Sequence, residues 1–280
     1  MTLTRRLFLA TPALAAAKSA YAPKVGVQCY VFTQLKQTPE DFFSTAARCG
    51  YTRVELVPGM MPDNLSDLLK KYKLECPLVY SGTSLHEDAA AEKSMATALK
   101  VAEAGKRAGA SVLVVNPDPK KGRERKTDDE LKVQARNLNK LGEECKKRGM
   151  RLAVHNHDPE LREEAREWRS DLRNTNPKLV GICADVHWFL RGGHDPVTML
   201  KEAGSRIVDM HLRNSKNKIW TEALGDGDVD YRAVAAFARK IGYNGYLTVE
   251  LAYEKATEPK QTAEENIRQS RLYTEEVFLR

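Results

Sequence analysis

The chain is 280 residues long, 42% apolar and carries a net charge of +7. That length suits one large core, and α/β barrels of roughly 250 residues are common single domains. Setting aside Arg5, Arg6 and Lys18 lowers the charge to +4, spread over helices that also carry acids, which argues against a nucleic-acid stripe.

Arg5-Arg6 precedes the apolar run Leu7 to Ala17, and small residues follow up to Ala20-Tyr21-Ala22. A charged segment, a short apolar segment and an A-x-A pattern mark residues 1–22 as an export signal. Thr4-Arg5-Arg6-Leu7-Phe8-Leu9 resembles the twin-arginine motif, which carries folded proteins out of the bacterial cytoplasm. The expectation is a mature chain that starts near Pro23 and works in the periplasm or otherwise outside the cytoplasm. No later run is apolar for long enough to span a bilayer, so no membrane partner is expected.

From Pro23 onward strand-like and helix-like segments alternate. Lys24 to Tyr30 leads to a helix over 39–49, Thr52 to Val57 to one near 64–72, and Glu75 to Tyr80 to one over 88–108. Ser111 to Val115 leads to a helix over 128–148 that stops at Gly149. Leu152 to Asp158, Val180 to His187, Ile207 to Arg213 and Tyr246 to Glu250 complete the strands. Their helices fall near 159–172, 196–202, 231–241 and 262–277. Short apolar strands between amphipathic helices indicate a parallel sheet covered on both faces. Eight such units over 23–280 predict an α/β fold of one domain, a closed (β/α)8 TIM barrel. An open doubly wound sheet would show a glycine-rich loop after its first strand. Here that strand runs into Gln28-Cys29-Tyr30-Val31-Phe32-Thr33. Cysteines 29, 49, 76, 145 and 183 form no C-x-x-C pair and read as small buried apolar residues, although export would permit one disulfide.

The last four strands each close on residues that bind divalent metals. Alternation puts His155 with His157, Asp185 with His187, and His211 with Arg213 on shared faces. Barrel active sites lie at such strand ends. Asp185, His211 and Glu250 form a carboxylate–imidazole set suited to one Mn²⁺, Mg²⁺, Co²⁺ or Zn²⁺ ion. His155 is the natural fourth ligand if the inward parity runs Ala153, His155, His157; otherwise His157 or Glu160 supplies it and His155 supports from behind. His157 would then stand further out, able to move a proton or bind a substrate oxygen.

Glu55 shares a face with Arg53 and is a candidate general base, an acceptor for sugar hydroxyls, or an ion-pair partner. Arg213 suits a carboxylate, phosphate or enolate oxygen. His187, Trp188 and Trp220 are placed on the substrate side, whereas Trp168 reads as helix core and Leu224 to Tyr231 as a turn and helix cap. With no dinucleotide fingerprint, neither nicotinamide nor flavin is expected.

HNHDPE at 155–160, DVHW at 185–188 with GGHDP at 192–196, HLR at 211–213 before GDGDVDY at 225–231, and TVE at 248–250 resemble the sugar isomerase/epimerase superfamily of xylose-isomerase-like barrels. The resemblance covers 24–280 and implies one divalent metal at the ends of strands five to eight. It also implies enediolate or enolate chemistry on sugars, keto-sugars or cyclitols. By motif, Asp185, His211 and Glu250 become metal ligands, while Arg213 and Glu55 face substrate. Two departures stand out. The superfamily places Glu on strand five where this chain has His155, which points away from simple epimerisation by two facing carboxylates. The Asp185 to His187 spacing is one residue shorter than the superfamily's D-x-x-H.

Export favours an uncharged sugar or keto-glycoside over a cytoplasmic sugar phosphate. The expectation is thus a metal-dependent isomerase, epimerase or related lyase or dehydratase acting on an unphosphorylated small sugar, with Glu250 and His157 moving protons. An apurinic-site-type endonuclease would need more His ligands and a basic groove. A non-catalytic sugar-binding barrel would keep the fold and lose the chemistry.

Overall fold

A computed structural model describes residues 20–280; residues 1–19, which carry most of the expected export signal, lie outside the described residues. The eight parallel strands are β1 (Lys24–Gln28), β2 (Arg53–Leu56), β3 (Glu75–Thr83), β4 (Val112–Pro117), β5 (Arg151–His155), β6 (Val180–Asp185), β7 (Ile207–Leu212) and β8 (Tyr246–Val249). They close a barrel in which β1 lies between β8 and β2. The expected TIM barrel is therefore present.

The helices are α1 (Tyr30–Gln34), α2 (Pro39–Arg48), α3 (Leu65–Tyr72), α4 (Asp88–Arg107), α5 (Asp128–Lys147), α6 (Asp158–Asn174), α7 (Val186–Arg191), α8 (Pro196–Ala203), α9 (Tyr231–Lys240) and α10 (Ala263–Leu279). Their starts follow from local chemistry. Thr38 with Asp41 and Thr127 with Glu130 form capping boxes, and Asp230 caps α9 by accepting from the backbone of Arg232 and Ala233. Among the described residues no helix is long and apolar enough to cross a membrane.

Leu78, Val112, Val114, Ala153, Cys183 and Val208 fill the lower barrel with apolar bulk. Gly181 is needed beside them, because a Cβ there would lie 2.5 Å from Val208 Cγ2. The larger core lies between barrel and helices, and holds Trp168 as expected. All five cysteines are buried and unpaired, so no disulfide forms among the described residues.

The structure departs from the sequence expectation where strands end. β5 stops at His155 and β6 at Asp185, so His157 and His187 are not strand residues. His157 sits at the N-cap of α6 and His187 in α7. α1 and α7 were not expected, nor was a hairpin pairing Ser215–Lys216 with Ile219–Trp220. α6 is broken by three non-glycine residues with left-handed backbone, Glu163, Glu164 and Ala165. Such residues cost roughly 1–2 kcal/mol each.

Candidate metal and active site

The site is assembled at the C-terminal mouth of the barrel by register. Asp185 is the ladder partner of His211. His155 pairs with Cys183, two residues before Asp185. Glu250 continues beyond β8, its N–H donating to Leu212 O at 3.0 Å. The ligand atoms of His155, Asp185, His211 and Glu250 consequently lie within 4.8 Å of one another, all in buried residues.

Each carboxylate is oriented by a different device. Asp185 Oδ1 accepts from Trp188 N at 2.9 Å, capping α7, which leaves Oδ2 facing inward. Asn156 brackets the same residue from the backbone, accepting from Asp185 N at 3.0 Å and donating to Asp185 O at 3.2 Å. Glu250 Oε2 lies 3.0 Å from His211 Nδ1. Arg213 Nη2 bridges the pair, 2.9 Å from Asp185 Oδ2 and 2.7 Å from Glu250 Oε2. Burial opposes the charge on both carboxylates but is outweighed. Arg213 holds Asp185 well below the usual range, and Arg213 and His211 bring Glu250 down to about 2.

His155 carries the test of whether a cation fits. It is buried, neither ring nitrogen has a hydrogen-bond partner among the described residues, and Nε2 lies 3.6 Å from Asp185 Oδ2 and 3.9 Å from Glu250 Oε2. Those separations exceed hydrogen-bond range, while burial pushes the ring toward its neutral form. A neutral imidazole with an unused lone pair, beside two ionised carboxylates and a second imidazole, is a donor set that fits a divalent first-row ion. Of the three strand-five candidates, His155 alone belongs to this group. Glu160 turns away, its Oε2 accepting from His157 N at 2.8 Å.

Beside the ligand group opens a cavity of about 230 Å³. His157, Trp188, Arg213, Trp220 and Glu250 line it, together with Gln28, Tyr30, Gln34, Val57 and Tyr80. The His157 ring lies 4.6 Å from that of His155, and burial lowers its pKa to about 3. The two indoles stand perpendicular, 5.6 Å apart, with the Arg213 guanidinium 4.7 Å from the Trp220 ring and 5.7 Å from that of Trp188. Both indole N–H groups are buried without a partner among the described residues.

Two expectations fail on position. His187 lies about 200° around α7 from Asp185; it is buried, its Nε2 meets Ser215 Oγ at 3.0 Å, and it does not line the cavity. Glu55 does not line it either. It points into the barrel beneath the ligands, Oε2 lying 2.8 Å from His211 Nε2, and burial raises it to about 7. Its supposed face-mate Arg53 instead pairs with Glu75 at 3.1 Å, across a register irregularity between residues 53 and 55. The acidic loop is a turn and cap. Asp228 accepts from Ser215 Oγ and from the backbone of Asn217 and Lys218, and a Cβ at Gly227 would lie 2.2 Å from Ser215 O.

Sequence reasoning missed Asp209, Asn156 and Tyr80. Asp209 was within reach, since it shares the alternation that singled out His211. Its Oδ2 lies 3.2 Å from His211 Nε2.

Against known proteins, residues 43–274 match the family model described as xylose isomerase-like TIM barrel. The chain is 26% identical over 251 residues to an inosose dehydratase of Geobacillus kaustophilus, covering 78% of this chain and 82% of that protein. It is 27% identical over 148 residues to an inosose dehydratase of Clostridium tetani, covering 46% of this chain and half of that one. A solved sugar phosphate isomerase/epimerase from Parabacteroides distasonis superposes with a TM-score of 0.72 at 24% identity, over 94% of this chain and 97% of that one. An L-ribulose 3-epimerase superposes at 0.76 with 14% identity, over 92% and 95%.

Proposed function

This chain belongs to the xylose isomerase-like TIM barrel family, and we propose that it is a divalent-metal-dependent enzyme that dehydrates, or otherwise eliminates from, an unphosphorylated keto-sugar or keto-cyclitol. The inosose dehydratase relatives support an enzyme acting on sugars or cyclitols. Isomerisation or epimerisation is the second reading, supported by the solved epimerases.

One observation carries the substrate charge. Among the described residues lining the cavity Arg213 is the sole Lys or Arg, and Asp185 and Glu250 already neutralise it. Apart from the proposed ion, a phosphate dianion would find no lysine and no second arginine on the cavity wall.

His155, Asp185, His211 and Glu250 would hold the ion. Bound there, it would supply Lewis-acid polarisation of a substrate carbonyl. The remaining work falls to side chains of the cavity. Trp188 and Trp220 offer apolar faces for ring C–H groups and unpaired N–H donors for hydroxyls. His157 is held unprotonated by burial, in the form that accepts a proton from the carbon beside the carbonyl. Asp185 and Glu250 are both engaged by Arg213, so the cavity offers one free base rather than two facing ones. That asymmetry favours elimination, which removes a proton from one carbon and hydroxide from the next as one water.

The test follows an inosose or keto-sugar in deuterated water. Water loss with deuterium incorporation is expected, slowed about 100-fold or more in His157→Ala. Turnover without exchange, or undiminished after chelation of metal, would overturn the mechanism, whereas binding with no turnover by metal-loaded protein would leave a plain sugar-binding role.

Export is proposed from the first 22 residues alone. The native protein should begin near Pro23 by N-terminal sequencing. Uncleaved protein from the cytoplasm would refute this and restore sugar phosphates as candidate substrates.

A further inference from the structure

We infer that Glu55 and Asp209 form a two-carboxylate cradle beneath His211 that selects which ring nitrogen meets the metal. This rests on the metal-dependent reading above. His211 Nε2 lies 2.8 Å from Glu55 Oε2 and 3.2 Å from Asp209 Oδ2, while Nδ1 faces Glu250 Oε2 at 3.0 Å. Asp209 is itself held from two sides. Thr248 Oγ1 donates to its Oδ1 at 2.8 Å, and Cys183 Sγ lies 3.4 Å from its Oδ2.

Neither carboxylate reaches the substrate. Glu55 and Asp209 are buried and absent from the cavity wall. They meet the ligand group only through His211. A ligating imidazole commonly donates its second N–H to a carboxylate, which fixes tautomer and ring orientation and raises ligand basicity. Here one N–H has two such acceptors, so Nε2 would keep its proton and Nδ1, the nitrogen facing Glu250, would be the one to give its lone pair to the ion. Both residues are positioning residues, and Glu55 is not a substrate base.

Zn²⁺ affinity measured against a competing chelator tests this, with circular dichroism as the check on folding. Glu55→Gln and Asp209→Asn should each weaken binding about 10–100-fold. Thr248→Val, which removes only the hydroxyl holding Asp209, should weaken it by roughly 2–10-fold and keeps the question answerable if a carboxylate variant fails to fold. Nitrogen NMR of the zinc-loaded, histidine-labelled protein should show His211 ligated through Nδ1 and protonated at Nε2. Unchanged affinity in all folded variants, or ligation through Nε2, would overturn the cradle while leaving the metal enzyme standing. A wild-type chain that takes up no zinc, cobalt or manganese would overturn both.

Discussion

On the metal-dependent reading, wild-type protein should emerge from purification with a divalent ion, and Asp185→Asn and Glu250→Gln are expected to fold yet emerge without it. These two residues supply the only ionised groups of the ligand set, since burial favours neutral His155 and a ligating His211 must present a lone pair. Loss of one anionic donor should weaken ion binding by more than the roughly 10–100-fold typical of an outer-shell partner, while Arg213 keeps the other carboxylate as its partner. Asn is the informative replacement at 185, because it caps a helix about as well as Asp and so spares α7. Elemental analysis beside a thermal melt separates loss of metal from loss of fold. Stoichiometric metal in both variants would remove these residues from the ligand set.

The largest stability loss is expected at Lys126, which is not among the ligand group. Its ammonium is buried, 2.6 Å from Glu167 Oε1 and 2.8 Å from Gln134 Oε1. Gln134 Nε2 passes the contact to Asp171 at 3.0 Å. Glu160, Glu167 and Asp171 are all buried around this single cation. Lys126→Met should cost about 3–5 kcal/mol, because it strands buried carboxylates without a counter-charge. For a domain of this size that is on the order of 6–20 °C in melting temperature.

The loss should also depend on pH. Burial, reinforced by Glu167, raises Glu160 to about 7 and Asp171 to about 8, above the roughly 4 expected when unfolded. Groups raised in this way favour the fold fully below about pH 4, and that contribution is lost as pH climbs through 7 to 8. The deficit of Lys126→Met should therefore be smaller at pH 5.5 than at pH 8.5 in urea titrations. An equal deficit at both would mean that these carboxylates do not take up protons.

The barrel was legible because alternating short apolar runs and amphipathic helices leave few other packings, and Asp185, His211 and Glu250 because they end those runs. What misled was parity carried past the last ladder residue. His187 was paired with Asp185 as if the strand continued, although an Asp followed by Val-His-Trp is also a helix start, and α7 begins there. For Glu55 the pattern indicated a face but not a depth, and depth decides whether a carboxylate meets substrate or the underside of a histidine. The Lys126 cluster joins residues from a loop and two helices, 8 to 41 positions apart. No local pattern announces such a meeting.

The double use of Asp185, one oxygen on the α7 backbone and the other facing inward, would make the proposed metal site a gauge of ionic radius. To grip a larger ion with both oxygens, Asp185 would have to let go of Trp188 N and unseat the first turn of α7. Calcium asks for six to eight oxygens in a yielding shell, whereas this frame presents two imidazoles and a carboxylate that cannot splay. On the metal-dependent reading, the small ions of the first transition row should fit that frame, while calcium would have to unseat the start of a helix.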